Sequence, residues 1–472
     1  MWHCISIASL SAQDDTDWVL RFENLTVEDR LPSHRVLCVC QDYRGFMWFG
    51  TEEGLCRYDG FSFTEYMADL NNSLSISNNA VRSITEDSFG NLWIGTDGGG
   101  LNYFIPEKEE FYQFPLPNVV QEESLNEHDK IYSILRTSDN KYWIGSYGQG
   151  IYLLPAFSNA NDIILFCKNN KPDNIIQFLP DGSQTGLNDA YVFCLYEDRA
   201  KTLWIGTDGR GSAEGGALHK IIQTSKEKKK LICTQFRHDP TDIESLGSNY
   251  IMSLFEDSKS SLWVANWEGG LNLLDRETGK VQRIRGRDNS TGHLNNDDVY
   301  CVVEDHYSNL WVATYGGGIS RVSEKKPGQF EFITQQNLKD KENSLVGDFV
   351  RQIFVDQGGL LWVITWKSGI SRLRVSRNPF IHVPLPDHGI SDTITEVVQR
   401  IQSDDAGRIL IETQKQGLLE LNLTKEGQRT NYIFSQSKVS FPPDPIYNTY
   451  IGSRFSSDSI FIRVLDGKRI FY

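Results

Sequence analysis

The chain has 472 residues, of which 39% are hydrophobic and 12% aromatic, which supplies a large core or several small ones and excludes a disordered chain. Its formal charge of −15 is spread along the sequence, which argues against nucleic acid or an anionic membrane as partner. No stretch reaches the roughly 18 apolar residues of a membrane span, so no membrane contact by this chain is expected.

Met1 to Ala12 reads as the tail end of a secretory signal peptide: an apolar run through Ile5, Ile7 and Leu10, then Ser9, Ser11 and Ala12, without a positively charged start. The expectation is a mature protein beginning near Gln13 or Asp14 and working in a periplasm. Val19 to Thr26 reads as a lone strand. After it a Trp-centred phrase recurs, first as Met47-Trp48-Phe49-Gly50-Thr51 and then as Leu92-Trp93-Ile94-Gly95-Thr96. Later copies centre on Trp143, Trp204, Trp263, Trp311 and Trp362, with a degenerate one at Leu410. Recurrence at this spacing is the mark of a repeat architecture.

Aligned on the Trp, the position twelve residues earlier is Val36, Val81, Ile131, Val192, Ile251, Val299, Val350 and Val398, all β-branched. With the apolar residue three places on, this is an inner strand, A. Cys38, Cys194 and Cys301 stand ten residues before the Trp, where other copies carry Ser, so they read as small packing residues rather than disulfide partners. There is no C-x-x-C pair and the histidines lack metal-ligand spacing, so no metal and no cofactor is expected.

An Asp six residues before the Trp (Asp42, Asp87, Asp198, Asp257, Asp305, Asp356 and Asp404) reads as the cap of an A–B turn. The Trp strand, B, has both faces apolar, and the Gly beside the Trp is expected to leave room for a large ring from the adjacent sheet. In the second copy, the turn Asp97 to Gly100 and strands Leu101 to Phe104 and Phe111 to Phe114 complete four antiparallel strands. Such a unit is a propeller blade, and no helical periodicity competes with it. The basic run Lys226 to Lys230 reads as a solvated hairpin tip.

Seven strong phrases predict an all-β, seven-bladed β-propeller over residues 19–378, closed by the lone strand 19–26 as the outermost strand of blade seven. Residues 379–472 repeat the opening in weakened form, through Phe380 to Val383, Val398 to Ile401, Ile409 to Thr413, Gly417-Leu418, Ile460 to Val464 and Arg469 to Tyr472. They are expected to be the first one to two blades of a second, incomplete propeller, in a chain that is a fragment or a truncated product, or else a marginally ordered tail.

The phrase Leu37-Cys38-Val39-Cys40-Gln41-Asp42-Tyr43-Arg44-Gly45-Phe46-Met47-Trp48-Phe49-Gly50-Thr51-Glu52-Glu53-Gly54-Leu55, with Arg57-Tyr58-Asp59-Gly60 after it, resembles the two-component regulator propeller family. The resemblance implies the periplasmic sensor of a bacterial hybrid two-component system. In that family two seven-bladed propellers and a small β-sandwich precede a membrane helix, a histidine kinase, and receiver and DNA-binding domains. For this chain it implies ligand sensing, commonly of oligosaccharides, with no catalytic domain and any homodimer formed through the complete receptor.

The B–C turn and the connection into strand A lie at the same end of a blade, so their residues should ring one face. Four residues after each Trp stand Glu52, Asp97, Tyr147, Asp208, Trp267, Tyr315 and Trp366, and entering strand A are Asn249, Tyr250, Asp297, Asp298, Tyr300, Asp348 and Arg351. Sugar C–H faces stack on Trp and Tyr while hydroxyls seek carboxylates, amides and Arg. The expected ligand-binding set is therefore Tyr147, Trp267, Tyr315, Trp366, Asp97, Asp208, Asn249, Tyr250, Asp297, Tyr300 and Arg351. The plainer reading is that the rings cover neighbouring blades and the acids cap turns. Two other classes compete: a glycan hydrolase or lyase, which needs carboxylates about 5–10 Å apart, and a scaffold for protein partners.

Overall fold

The computed structural model describes residues 18–377 apart from 118–129, 173, 184, 210–214, 226–229, 287–292, 327 and 340–342, together with strands between 380 and 471. The leader-like stretch Met1 to Ala12 and all but the last residue of the Lys226 to Lys230 run lie outside the described residues.

Seven four-stranded antiparallel sheets form the ring. Blade 1 is β2 (Val36–Gln41), β3 (Met47–Thr51), β4 (Gly54–Tyr58) and β5 (Phe63–Tyr66), and blade 2 is β6 (Val81–Glu86), β7 (Leu92–Thr96), β8 (Leu101–Ile105) and β9 (Glu110–Phe114). Blades 3 to 6 start on Ile131–Arg136, Val192–Glu197, Ile251–Glu256 and Val299–Glu304, each followed by its Trp strand. Blade 7 is Val350–Val355, Leu361–Thr365 and Ile370–Arg377, and its fourth strand is β1, Trp18–Leu25, from the other end of the described ring. Side chains fix that closure: Asn24 donates to the Ser344 carbonyl (3.1 Å) and accepts from the Ser371 hydroxyl (2.7 Å), and Arg372 pairs with Glu23 (2.6 Å).

Every residue of every Trp strand is buried, and in blades 1 to 5 and 7 the Trp packs on the next blade as well as its own. Trp362 of blade 7 closes the circle against Phe49 and Tyr58 of blade 1, at ring separations of 5.5 and 6.0 Å. The buried indole N–H needs an acceptor. In blades 1, 4, 5, 6 and 7 it donates to the Asp six residues earlier, at 2.8–3.0 Å from Trp362 to Trp48. The other carboxylate oxygen takes backbone N–H groups of the A–B turn, as Asp42 does from Arg44 and Phe46. The turn cap is thus also the anchor of the strand's largest side chain.

The space beside each Trp differs from expectation. No ring enters it. A Cβ on Gly50, Gly95, Gly145 or Gly206 would lie 2.6–2.7 Å from a methyl of Val81, Ile131, Val192 or Ile251, the β-branched residue opening strand A of the next blade. The Gly column and the β-branched column are two sides of one inter-blade contact. Cys38, Ser83 and Cys194 lie there too, donating to the carbonyls of Val81, Ile131 and Ile251. Their role is packing, and all seven described cysteines are free.

A helix, α1 (Ala160–Asn169), was not anticipated; it is inserted between the third and fourth strands of blade 3. Asn159 caps its start, and it buries Ile163 and Ile164 and stacks Phe166 on Phe114 at 5.0 Å. Ten residues outside the repeat are too few for periodicity to stand out against the strands around them.

Arg21–Arg374 forms one compact unit, and the strands after Val375 belong to a second. In the second, Val398–Ser403, Ile409–Thr413, Gly417–Glu426 and Arg429–Gln436 make one four-stranded sheet, and Phe380–Pro384 pairs with Ser459–Leu465 in a three-stranded one.

In blades 2, 4, 5 and 7 the third strand presents a side chain to the loop that enters strand A. Asn102 and Asn272 there accept the N–H of Ser77 (3.1 Å) and Gly247 (2.8 Å), and in blade 4 His219 accepts from Asn188 through Nε2 (3.3 Å) while Nδ1 meets the Ile205 carbonyl (3.3 Å). A ring that accepts at one nitrogen must be neutral, and burial pushes its pKa down to about 4. Because the unfolded histidine titrates near 6.5, the unfolded state binds the extra proton between these values. Stability is then full above pH 6.5 and falls by about 3 kcal/mol as the pH drops towards 4. His219→Asn, which copies blades 2 and 5, should flatten that slope in urea melts taken across this range; an unchanged slope would refute the assignment.

Candidate functional site

The strand A–strand B pairing carries the same irregularity in all seven blades. Register shifts between the residues twelve and ten before the Trp, from Val36/Cys38 in blade 1 to Val350/Gln352 in blade 7. This is a β-bulge, which leaves one residue unpaired and re-aims its side chain. The bulged residues are Leu37, Arg82, Tyr132, Phe193, Met252, Tyr300 and Arg351. Successive A strands are neighbours around the whole ring, so this slot forms a collar near the channel mouth. The bulge recurs in the second unit, between Val398 and Arg400.

A second row lies beside the collar. In every blade the N–H of the residue four after the Trp donates to the carbonyl thirteen before it: Glu52 to Arg35, Asp97 to Ala80, Tyr147 to Lys130, Asp208 to Tyr191, Trp267 to Tyr250, Tyr315 to Asp298 and Trp366 to Phe349. The B–C turn and the strand A entrance are therefore hydrogen-bonded together.

The mouth has two kinds of wall. Across blades 5 to 7 the rings of Trp267, Tyr300, Tyr315, Phe349 and Trp366 form a cluster, with Trp267 5.4 Å from Tyr300 and 5.2 Å from Tyr315, and Tyr315 4.8 Å from Phe349. A smaller cluster joins blades 3 and 4, where Tyr147 stacks on Tyr132 at 4.6 Å and meets Tyr191 edge-on, while its hydroxyl donates to Asp208 (3.0 Å). The polar wall spans blades 1 to 3, with ion pairs Arg35–Glu52 (2.8 Å), Arg82–Asp97 (2.6 Å) and Lys130–Asp97 (3.6 Å). Arg35–Glu52 is largely exposed and worth about 0–1 kcal/mol. Arg82 is more enclosed and also lies 5.1 Å over the Tyr132 ring. Arg351 lies 4.9 Å over Trp366 and donates Nε to the Leu37 carbonyl (2.6 Å).

Of the sequence-predicted residues, Tyr147, Trp267, Tyr315, Trp366, Asp97, Asp208, Tyr300 and Arg351 come together at this mouth, and Tyr250 stands exposed at its edge. Asn249 and Asp297 are engaged elsewhere, because their Oδ1 atoms accept the N–H of His238 and Gly286, both at 2.7 Å, closing the loop into strand A. Asp348 does the same for Asn337. Arg82, Tyr132 and Phe193 of the collar were missed. Their signal was present, since the bulge slot is chemically varied between a β-branched column and a small one.

The slot fifteen before the Trp shows one anomaly. Asn78 and Asn296 cap the N–H two residues on, and Asn296 also donates to the Tyr315 carbonyl (2.7 Å). Blade 4 places Asp189 there: Oδ1 accepts from Tyr191 (3.1 Å), but Oδ2 is buried without a partner, and burial pushes the pKa up.

A family model described as the two component regulator propeller matches residues 30–53, 75–98, 186–209, 245–268 and 293–316. All five matches run in one frame, from eighteen residues before the Trp to five after it, in blades 1, 2, 4, 5 and 6. Over 202 residues the chain is 27% identical to a protein called histidine kinase P4 of Formosa agariphila, covering 43% of this chain and 13% of that one. Its fold is similar to an extracellular domain assigned to a hybrid two component system of B. thetaiotaomicron, with TM-score 0.57 and 21% identity, over 87% of this chain and 49% of that one. It is also similar to virginiamycin B lyase from Staphylococcus aureus, with TM-score 0.51 and 14% identity, over 76% of this chain and 99% of the lyase. The chain thus spans about half of the solved extracellular domain and a small part of the kinase.

Because the Asp189 carboxyl is held above its ordinary range, its ionisation opposes folding once the pH rises past that of a free carboxylate. Asp189→Asn, which restores the amide of blades 2 and 6, should stabilise the ring by about 1–2 kcal/mol at pH 7 and by less at pH 4. Chemical denaturation at the two pH values checks this, and no gain at pH 7 would refute it.

Proposed function

The chain belongs to the two-component regulator propeller family, and on that premise we propose that its ring is the exported, ligand-sensing part of a hybrid two-component receptor whose ligand is an oligosaccharide. The observation that carries the reading is the aromatic wall of Trp267, Tyr300, Tyr315 and Trp366 set beside polar collar residues at one mouth. Rings offer C–H stacking to sugar faces, and the neighbouring Arg, Tyr and Asp groups orient hydroxyls. The likeness to a kinase and to an extracellular sensor domain supports placing the ring ahead of a signalling part, outside the cytoplasm.

The lyase likeness keeps catalysis as the second reading. Against it, the slots four after, eleven before and thirteen before the Trp contain no histidine, and of their acids Glu52 is engaged by Arg35, Asp97 by Arg82 and Lys130, and Asp208 by the Tyr147 hydroxyl, while Asp298 accepts the Glu268 backbone N–H. A group already paired is a poor proton carrier.

Thermal melts of the full chain with a panel of oligosaccharides test the reading. A binder present at a hundredfold excess over its Kd should stabilise by about 2.7 kcal/mol. Trp267→Ala and Trp366→Ala should remove most of that shift while leaving the unliganded melt cooperative, with the glycan recovered uncut. Full binding by both variants would move the site elsewhere, and released product would make the ring an enzyme.

A further inference from the structure

We propose that the ring recognises a negatively charged group on its ligand, a carboxylate or a sulfate, through Arg351; this rests on the ligand-sensing reading of the mouth. Charge pairing at the mouth points there first. The other cations of the mouth slots that face an acid are matched: Arg35 with Glu52, Arg82 and Lys130 with Asp97. Among the described residues no carboxylate pairs with Arg351, although it sits in the collar inside the ring. Its Nε is used on the Leu37 carbonyl, which fixes the plane of the guanidinium, and its face lies over Trp366. The two terminal nitrogens make no hydrogen bond to a described residue.

Neighbouring charge adds to the cost of leaving Arg351 without an acidic partner. Burial, and next the nearby charge of Arg82, push the Arg351 pKa down. The groups that feel its charge are Tyr132 and Tyr300 of the collar and the Cys38 thiol, none of them an anion at neutral pH. A cation–π contact with Trp366 returns less than an enclosed guanidinium forfeits in hydration. The Trp366 indole N–H, also buried, closes no hydrogen bond of its own, although it approaches the Tyr300 hydroxyl nearly enough to favour that group's ionised form.

These donors share one neighbourhood, and among the described residues no carboxylate bonds to either of them. A sugar hydroxyl would satisfy hydrogen bonds and leave the charge uncompensated. An oxyanion does both, and a planar guanidinium fixed at Nε presents its two remaining nitrogens side by side, the arrangement that takes two oxygens of a carboxylate or sulfate. The chain's overall charge of −15 repels anions at long range, so the attraction is local to the collar.

The test uses the full chain and three probes, glucuronate, glucose and inorganic sulfate, with binding followed by ligand-observed NMR and by competition. Glucuronate should bind at least about tenfold more tightly than glucose and be displaced by sulfate. R351Q should lose about tenfold more for glucuronate than for glucose, with R351K in between because it keeps the charge and loses the paired geometry. Preference for sulfate over glucuronate would assign the sulfate ester as the source of the anion; the reverse would assign the uronate. Glucuronate no tighter than glucose, or equal binding by wild type, R351Q and R351K, would overturn the proposal. Sulfate bound without any glucuronate preference over glucose would mark an adventitious ion only, and would overturn it too. If neutral oligosaccharides still shift the melt through Trp267 and Trp366 in that event, sensing stands and the anion requirement alone has failed.

Discussion

One carboxylate does three jobs in most blades: it closes the A–B turn, it gives a buried indole N–H its acceptor, and it thereby fixes the rotamer of the ring that each blade presses on the next. An orphaned indole N–H costs about 1–3 kcal/mol, and the ring repeats the arrangement, so the energy at stake is comparable to the stability of a whole domain. Blade 2 shows how specific the arrangement is. There the Tyr103 hydroxyl takes Asp87 at 2.7 Å, and the Trp93 N–H is left buried without that acceptor. Blade 3 replaces the Asp with Thr137, whose hydroxyl still closes the turn by bonding with Lys141.

Holding the outer part of each blade so firmly leaves the inner strand free to carry an irregularity. The bulge near the start of strand A occurs in every blade, at the level where the B–C turn is tied to the strand entrance. Its consequence is a slot whose side chains pack differently from blade to blade, Arg82 over Tyr132, Tyr300 against Trp267 and Arg351 over Trp366. The ring fills that slot with Leu, Arg, Tyr, Phe, Met, Tyr and Arg, while the column before it stays β-branched and the column after it stays small except for Gln352 in blade 7. The scaffold columns and the slot proposed for recognition are thus separated by one residue along the same strand.

Much of this was legible in the sequence. The Trp period counted the blades, and the lone strand ahead of the first blade supplied the fourth strand of blade 7, because an unpaired strand and an open blade need each other. The rim slot four after the Trp was legible because turn positions that carry Trp and Tyr stand out. The collar is legible only in part: Tyr300 and Arg351 stand out as strand-entrance residues, whereas the sole mark of Arg82 and Tyr132 is a chemically varied slot behind a β-branched column, which does not by itself reveal a bulge. Asn249 and Asp297 look the same on paper whether they face a ligand or the backbone N–H of His238 or Gly286. The space beside the Gly was misjudged for a similar reason: its occupant comes from the next blade and is aliphatic. The helix after the third strand of blade 3 lies outside the repeat, so no other copy of the unit marks it.

If the collar and the rim slot form one recognition surface at one mouth of the ring, a bound ligand must touch both. A crystal structure of the full chain with its tightest oligosaccharide shows whether it does. The glycan is expected over the Trp267 to Trp366 wall, within hydrogen-bonding distance of Arg351 or Arg82. A glycan seated at the opposite end, among the A–B turns around Asp42 and Asp305, would contradict that arrangement.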